Sequence, residues 1–451
     1  MTKVFIINKD ETLSAVHHST NQCNIDSDLS KLTLDWERTK HEEKASIRCK
    51  NFRAIISNEL IKFSWIKLFA ASFTIIFFGF VMNIPLTLIP YHDLVQYPKY
   101  WYELLLPGTY SGLMGFSYRC ITSGSYMNIE HLLRPRNVGI LSASGCMFIL
   151  AVLLVSYIVW TLLFEFQYPI PFLGTVATYV GFVFTITVIW FLFPTKWRQS
   201  WNFRKRMRYF IFQLLFTILV TIFYNMITQT IAKSSNKYQP IVALMLPALR
   251  ELQITISTKL IKKAANGDEW GATILLRYAI SVQYIIVLCI VLGSLATNST
   301  SWVLIGVDYF HNLWLTFKIV WMNKRKPEKI MKQIETLEDL ALCELAEFHA
   351  PVVFIFVFIA ASYGPNFRLF GNIGNSYWTF NAIADINQSL TNMIYLFLVD
   401  FSSTVASGLI LWSSCRIGLW KVFGILQNEF GKIFTIFLGY LLLVVCMNIG
   451  I

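Results

Sequence analysis

Residues 138–163 read VGILSASGCMFILAVLLVSYIVWTLL and contain no Asp, Glu, Lys or Arg. A run of about 18 or more apolar residues is long enough to cross the hydrocarbon core of a bilayer as a helix. Similar runs recur along the chain, which has 451 residues, of which 55% are hydrophobic and only 14% charged. Soluble proteins carry about 25% charged residues, and a soluble fold cannot bury this much apolar surface. The sequence therefore predicts an all-α, multi-pass integral membrane protein.

The apolar runs divide the chain into a charged tail over residues 1–60 and a transmembrane helical bundle over residues 61–451. We expect about eleven transmembrane helices (range roughly 8–11). They cover residues 63–89, 104–128, 138–163, 172–194, 209–232, 240–261, 272–297, 301–322, 346–366, 379–412 and 431–450. Two of these, 104–128 and 240–261, are only weakly apolar.

Basic residues beside the spans predict the orientation of the bundle. They precede span 63–89, follow spans 172–194 and 301–322, and precede span 431–450. Because cytosolic loops carry the excess of Lys and Arg, an even number of spans must separate these basic segments. Both weak spans are needed for that parity. The N-terminus, and with it the tail, is then cytosolic.

The same placement accounts for the net charge of +12, so we expect the lipid bilayer and not nucleic acid as the partner of the chain. The sequence does not select between the plasma membrane and an endomembrane. Asn298, in the motif NST, falls in an outer link between two spans and is a candidate glycosylation site.

Motifs for metal, cofactor and nucleotide chemistry are not found in this sequence. Its eight cysteines are isolated, with no C-x-x-C pair and no Cys/His cluster, so we expect neither a metal site nor a disulfide framework. No Walker loop, G-x-G-x-x-G, H-E-x-x-H or G-x-S-x-G motif occurs. We therefore expect no cofactor, and the sequence favours a protein that is not an enzyme without excluding one.

A polar stripe precedes the late apolar run 393–412. Helical spacing puts its side chains on one face, and we predict that they line an outer vestibule. A solvated helix end explains the stripe equally well. Its members are Asn381, Asp385, Gln388 and Asn392.

Asp308, His311 and Asn312 stand at i, i+3 and i+4 within a span and share a helix face. A carboxylate beside an imidazole passes protons near neutral pH, so the three residues are a candidate proton relay. The structural alternative is an Asp–His hydrogen bond that only ties two helices together.

Further charged residues inside spans predict a central charge network of Arg250, Glu251 and Asp400. Ionisable groups are costly in hydrocarbon, so they pair, face a cavity or carry function. The span 240–261 is too polar to face lipid and is expected at the centre of the bundle. Glu347 and His349, in contrast, are expected in the solvated boundary at the end of a span.

These features favour a multi-pass secondary active transporter of a small solute or ion, with proton coupling as one option. The alternative is a ligand-gated channel or chemosensory receptor, in which a homo-oligomer would surround a central pore. A third option is a membrane-embedded enzyme. His311 beside Asn312 in a chain of this length is similar to membrane-bound acyltransferases in architecture alone, and no family is assigned.

Overall fold

A computed structural model describes residues 65–84, 117, 121, 123–126, 135–163, 173–193, 195–234, 237–265, 269–294, 298–325, 330–363 and 386–448. All regular secondary structure in these residues is helical, which confirms the all-α part of the predicted fold class. The predicted tail 1–60 and most of the predicted span 104–128 lie outside the described residues.

The described helices follow the predicted apolar runs. They are α1 (Trp65–Val81), α2 (Pro135–Leu163), α3 (Leu173–Leu192), α4 (Thr195–Gln199), α5 (Trp201–Lys233), α6 (Gln239–Ala243), α7 (Met245–Ala264), α8 (Glu269–Ser294), α9 (Asn298–Arg325), α10 (Ile330–Tyr363), α11 (Ile386–Cys415) and α12 (Leu419–Asn448).

Several helices begin well before the apolar run that predicted them. Helix α10 begins at Ile330 where the predicted span begins at 346, and α12 begins at Leu419 where the predicted span begins at 431. The first turns of both helices carry charged side chains. Hydropathy therefore marks where the apolar part of a helix begins, whereas the helix itself begins earlier, in turns that carry charged side chains.

Five helical segments in the described part of the chain are long and apolar enough to cross a membrane. An integral membrane protein is thereby supported, whereas the count of eleven spans and the cytosolic N-terminus remain predictions. The five segments are Trp201–Thr228, Gln239–Ala264, Glu269–Gly293, Gln333–Ala360 and Asn387–Cys415.

Helices α8 and α10 form the centre of the bundle. Helix α8 packs against α5, α7, α10, α11 and α12, and its segment is the most buried of the five, followed by that of α10. The expectation that span 240–261 would be central is wrong. Its helix α7 buries one polar line against its neighbours, while Leu252 on another face is exposed.

The first and last described helices pack closely where glycine leaves room. A Cβ atom added to Gly439 of α12 would lie 2.5 Å from the sulfur of Met82, just after α1. The carbonyl oxygen of Gly439 also accepts a hydrogen bond of 3.2 Å from Asn83 Nδ2. Small residues let helices approach closely in membranes, where apolar side chains gain little by leaving lipid.

Candidate functional site

Charged side chains from four helices meet inside the bundle. Arg250 comes from α7, Asp308 from α9, Glu347 from α10 and Asp400 from α11, and each is only 1% exposed. One carboxylate oxygen from each of the three acids lies within 4.8 Å of the others. We call Asp308, Glu347 and Asp400 the acidic cluster.

The guanidinium of Arg250 is held from several sides. Its Nη1 lies 3.3 Å from Asp308 Oδ1, and its Nη2 donates to Ser281 Oγ at 3.4 Å. Nη2 also donates to the sulfur of Cys343, and the guanidinium carbon lies 4.7 Å from the ring centroid of Tyr284. A cation over an aromatic face is attracted to it most strongly when water is excluded. Arg250 is thus a fixed positive charge beside the acidic cluster.

The acidic cluster has more oxygen atoms than donors. Asn312 Nδ2 donates to Glu347 Oε2 at 2.6 Å, and Arg250 binds Asp308 Oδ1. Within the described structure, no hydrogen-bond partner reaches Glu347 Oε1 or either oxygen of Asp400, and the hydroxyl of Tyr284 lies beside the Asp308 carboxylate. Each buried polar group left without a partner costs roughly 1–3 kcal/mol, and charged groups cost more. The cluster is therefore chemically incomplete with protein atoms alone.

Hydroxyl groups of α11 extend the polar region beside the cluster. Thr404 Oγ1 donates to Glu344 Oε2, and Thr316 Oγ1 of α9 lies 2.9 Å from Ser407 Oγ. Ser403 is fully buried, and its hydroxyl lies beside the Glu344 carboxylate. The small residues after Asp400 thus give close helix packing and also place hydroxyls next to the acids.

Helical periodicity explains how each element presents its polar groups. Asp308, Asn312 and Thr316 follow one another at steps of four and are at most 1% exposed, so they share one buried face of α9. On α7, Arg250 and Gln253 share a buried line in the same way. Four such faces turned toward one another produce the site.

The structure brings Arg250, Asp308, Asn312 and Asp400 together from the residues that the sequence singled out. It places His311 and Glu251 elsewhere. His311 Nε2 lies 3.6 Å from Glu251 Oε1, with side-chain exposures of 25% and 53%. One residue along a helix turns a side chain by about 100°, so Glu251 leaves the face that carries Arg250.

The described part of the predicted vestibule stripe packs against the end of α8. Gln388 Nε2 donates to Asn392 Oδ1 at 3.1 Å, and Asn392 Nδ2 donates to the carbonyl oxygen of Leu292 at 3.2 Å. Asn392 is buried. It satisfies a carbonyl in the last turn of α8, where intrahelical donors run out. A vestibule role for Gln388 and Asn392 stays a prediction.

Of three other predicted residues, two are not described and the third is described only by its place in a helix. Asn381 and Asp385 lie outside the described residues. Asn298 is the first residue of α9, and its glycosylation stays a prediction.

The expectation of a solvated boundary at Glu347 and His349 is wrong, because they are 1% and 0% exposed. His349 Nδ1 lies 3.1 Å from the hydroxyl of Tyr278, and its Nε2 lies 3.3 Å from Gln427 Nε2. Helix α10 continues through the predicted boundary and is buried on both sides of it. The spacing of Glu344 and Glu347, i and i+3 on one face, is the signal that sequence analysis passed over.

Comparison of the chain with protein-family profiles, with curated proteins and with solved structures gave no match.

Proposed function

We propose that this chain is a secondary active transporter of a small solute or ion, and that the acidic cluster with Arg250 is its coupling site. The proposal includes the predicted arrangement of about eleven spans with a cytosolic N-terminus. One observation carries it, which is the meeting of three buried carboxylates and one guanidinium from four different helices.

Several features of the cluster support a transport role. Ionisable groups inside a membrane bundle are costly, and they mark ion pathways or coupling sites in many membrane proteins. A cluster built only to hold helices together would gain most from complete pairing, because a half-satisfied polar network is less favourable than an apolar one. Here three carboxylate oxygens of the cluster, on Glu347 and Asp400, have no hydrogen-bond partner in the described structure. Incomplete pairing suits a site that is filled and emptied during transport.

The site also draws on both central and flanking helices of the bundle. Arg250 and Asp400 lie on α7 and α11, which flank the central α8 and α10. In secondary transporters, substrate and coupling-ion sites lie near the midplane, and access alternates when one group of helices rocks against another. A charge cluster shared between central and flanking helices couples occupancy of the site to that movement.

Flux measurements on purified full-length protein in liposomes test this proposal. Solid-supported-membrane recordings with imposed proton, Na⁺, K⁺ or Ca²⁺ gradients should give transient currents that saturate with concentration. Asp308→Asn should abolish these currents while the protein remains folded and monodisperse. The matched control is Glu335→Gln, which changes a carboxylate that is 42% exposed and 3.7 Å from Lys262.

The same preparation distinguishes the alternatives. Sustained currents that do not saturate would replace the transporter with the ligand-gated channel or receptor. Turnover of an added lipid or acyl donor would replace it with an enzyme. Gradient-driven currents that Asp308→Asn leaves unchanged would remove the acidic cluster from the mechanism.

A further inference from the structure

We propose that the acidic cluster binds one divalent cation of the calcium class, with carboxylate oxygens of Asp308, Glu347 and Asp400 and the amide oxygen of Asn312 as ligands. This inference rests on the proposed function, since it names the ion that occupies the proposed coupling site. The isolated cysteines and the lack of a Cys/His cluster predicted no metal site, whereas the ligands of the proposed site are all oxygens.

The ligand atoms are already close enough to share one ion. One oxygen from each of the three acids lies within 4.8 Å of the other two. Calcium–oxygen distances are 2.3–2.6 Å, so oxygens on opposite sides of the ion are roughly 4.6–5.2 Å apart. For Mg²⁺, at 2.0–2.1 Å, the corresponding limit is roughly 4.0–4.2 Å. Because every pair of these oxygens lies within 4.8 Å, the cluster fits the limit for calcium, whereas a pair at the full 4.8 Å would be too far apart for Mg²⁺.

Asn312 provides an observation independent of the acids. Its side chain is 0% exposed, and its amide oxygen has no hydrogen-bond partner in the described structure. Its amide nitrogen donates to Glu347 Oε2 at 2.6 Å, which puts the planar amide group at the edge of the acidic cluster. A buried carbonyl oxygen without a donor is a favourable ligand for a hard cation, because carboxylate and carbonyl oxygens suit Ca²⁺ and Mn²⁺.

The charges of the cluster favour a dication over a monocation. Three carboxylates face the single guanidinium of Arg250, and that guanidinium engages only one oxygen of Asp308. An excess of two negative charges remains when all three acids are ionised. Glu344, on the preceding turn of α10, is a fourth acid beside them and accepts a hydrogen bond from Thr404. Like charges this close and this buried need a compensating cation or a proton.

Asp400 is the residue that most clearly requires a partner. It is 1% exposed, and neither of its carboxylate oxygens has a hydrogen-bond partner among the described residues. A charged group without water or a donor is among the least favourable arrangements in a protein interior. A bound cation supplies the missing interaction and leaves the hydrogen bonds of Asn312 and Arg250 intact.

Direct binding to purified full-length protein in nanodiscs tests the inference without any transport measurement. The probes are ⁴⁵Ca²⁺ in equilibrium dialysis and Mn²⁺ in electron paramagnetic resonance. We expect saturable binding of one ion per chain. Asp400→Asn and Glu347→Gln should each weaken it at least about tenfold, since even the loss of a residue supporting a metal ligand costs 10–100-fold. The control is Glu335→Gln on the same helix as Glu347, which should bind like the wild-type protein.

Wild-type protein that binds neither ion saturably overturns the inference, whatever the variants do. Calcium binding that both variants leave unchanged also overturns it. So does a rise in the melting temperature of the protein with Na⁺ when neither Ca²⁺ nor Mn²⁺ raises it. Calcium binding without gradient-driven currents would remove the proposed transport function and keep the metal site. Gradient-driven currents without calcium binding would remove the metal site and keep the proposed transport function.

Discussion

Replacing Arg250 with methionine removes the one positive charge that touches the acidic cluster in the described structure. The side chain is 1% exposed and lies 3.3 Å from Asp308 Oδ1. Methionine fills a similar volume, so the change leaves mainly an electrostatic defect. Breaking a buried ion pair by deleting one partner costs about 3–5 kcal/mol, because the other charge stays buried without compensation. Arg250→Met also removes the contact between the guanidinium and the ring of Tyr284. We do not add a separate cost for it to the range of about 3–5 kcal/mol, because the contributions of contacting residues are not additive.

Reversible unfolding in mixed detergent and dodecyl sulfate micelles measures this loss. We expect Arg250→Met to reduce the free energy of unfolding by about 3–5 kcal/mol. The control is Lys262→Met on the same helix. The Lys262 side chain is 39% exposed and its pair with Glu335 spans 3.7 Å. Exposed pairs contribute about 0–1 kcal/mol.

A double variant separates the charge defect from a loss of packing. Arg250→Met combined with Asp308→Asn removes both members of the pair, and we expect about 0.5–3 kcal/mol of coupling between the two changes. A loss for Arg250→Met no larger than that for Lys262→Met would refute the reasoning. Strict additivity in the double variant would show that Arg250 does not stabilise the bundle through its pair with Asp308.

Three further substitutions, two of them with a matched control, test helix packing and buried hydrogen bonds. Gly439→Leu should separate α1 from α12 and cost about 1–3 kcal/mol of stability in the same micelle assay. The control is Gly139→Leu, which should be close to neutral because a Cβ atom added there meets nothing within 4 Å. His349→Phe should cost about 1–3 kcal/mol by stranding its buried partners, and His311→Phe, at the bundle surface, should cost less when their melting temperatures are compared. Thr404→Val keeps the shape of the side chain but removes the donor to a buried carboxylate. Its unfolding free energy should fall by about 1–3 kcal/mol, and an unchanged value would show that this acid does not need the hydroxyl.

The helical faces could be predicted from the sequence because helical geometry is local. The spacing of Asp308 and Asn312 put them on one face, and both are buried on the same side of α9. The spacing of Arg250 and Gln253 gave a second correct face. The steps of residues along one helix decide such features, and no knowledge of neighbouring helices is needed.

The centre of the bundle could not be predicted in the same way. Polarity suggested α7 as the central helix, whereas α8 and α10 occupy that place. Neighbours on one side of a helix are enough to bury one polar face. The polarity of a helix therefore does not show how much of its whole surface is buried. His311 shows the same limit. Its spacing allowed a partner in Asp308, but the side chain lies beside Glu251.

The composition and the long continuous apolar runs indicated helices in a membrane, because a helix satisfies all its backbone polar groups within one such run, where lipid offers no partner. Which polar faces meet was decided by tertiary packing. Arg250 and Asp308 are 58 positions apart, and Asp400 and Glu347 reach them from two more helices. Helical periodicity gives the direction in which a side chain points from the axis of its own helix. Only the packing of whole helices selects the neighbour that stands in that direction.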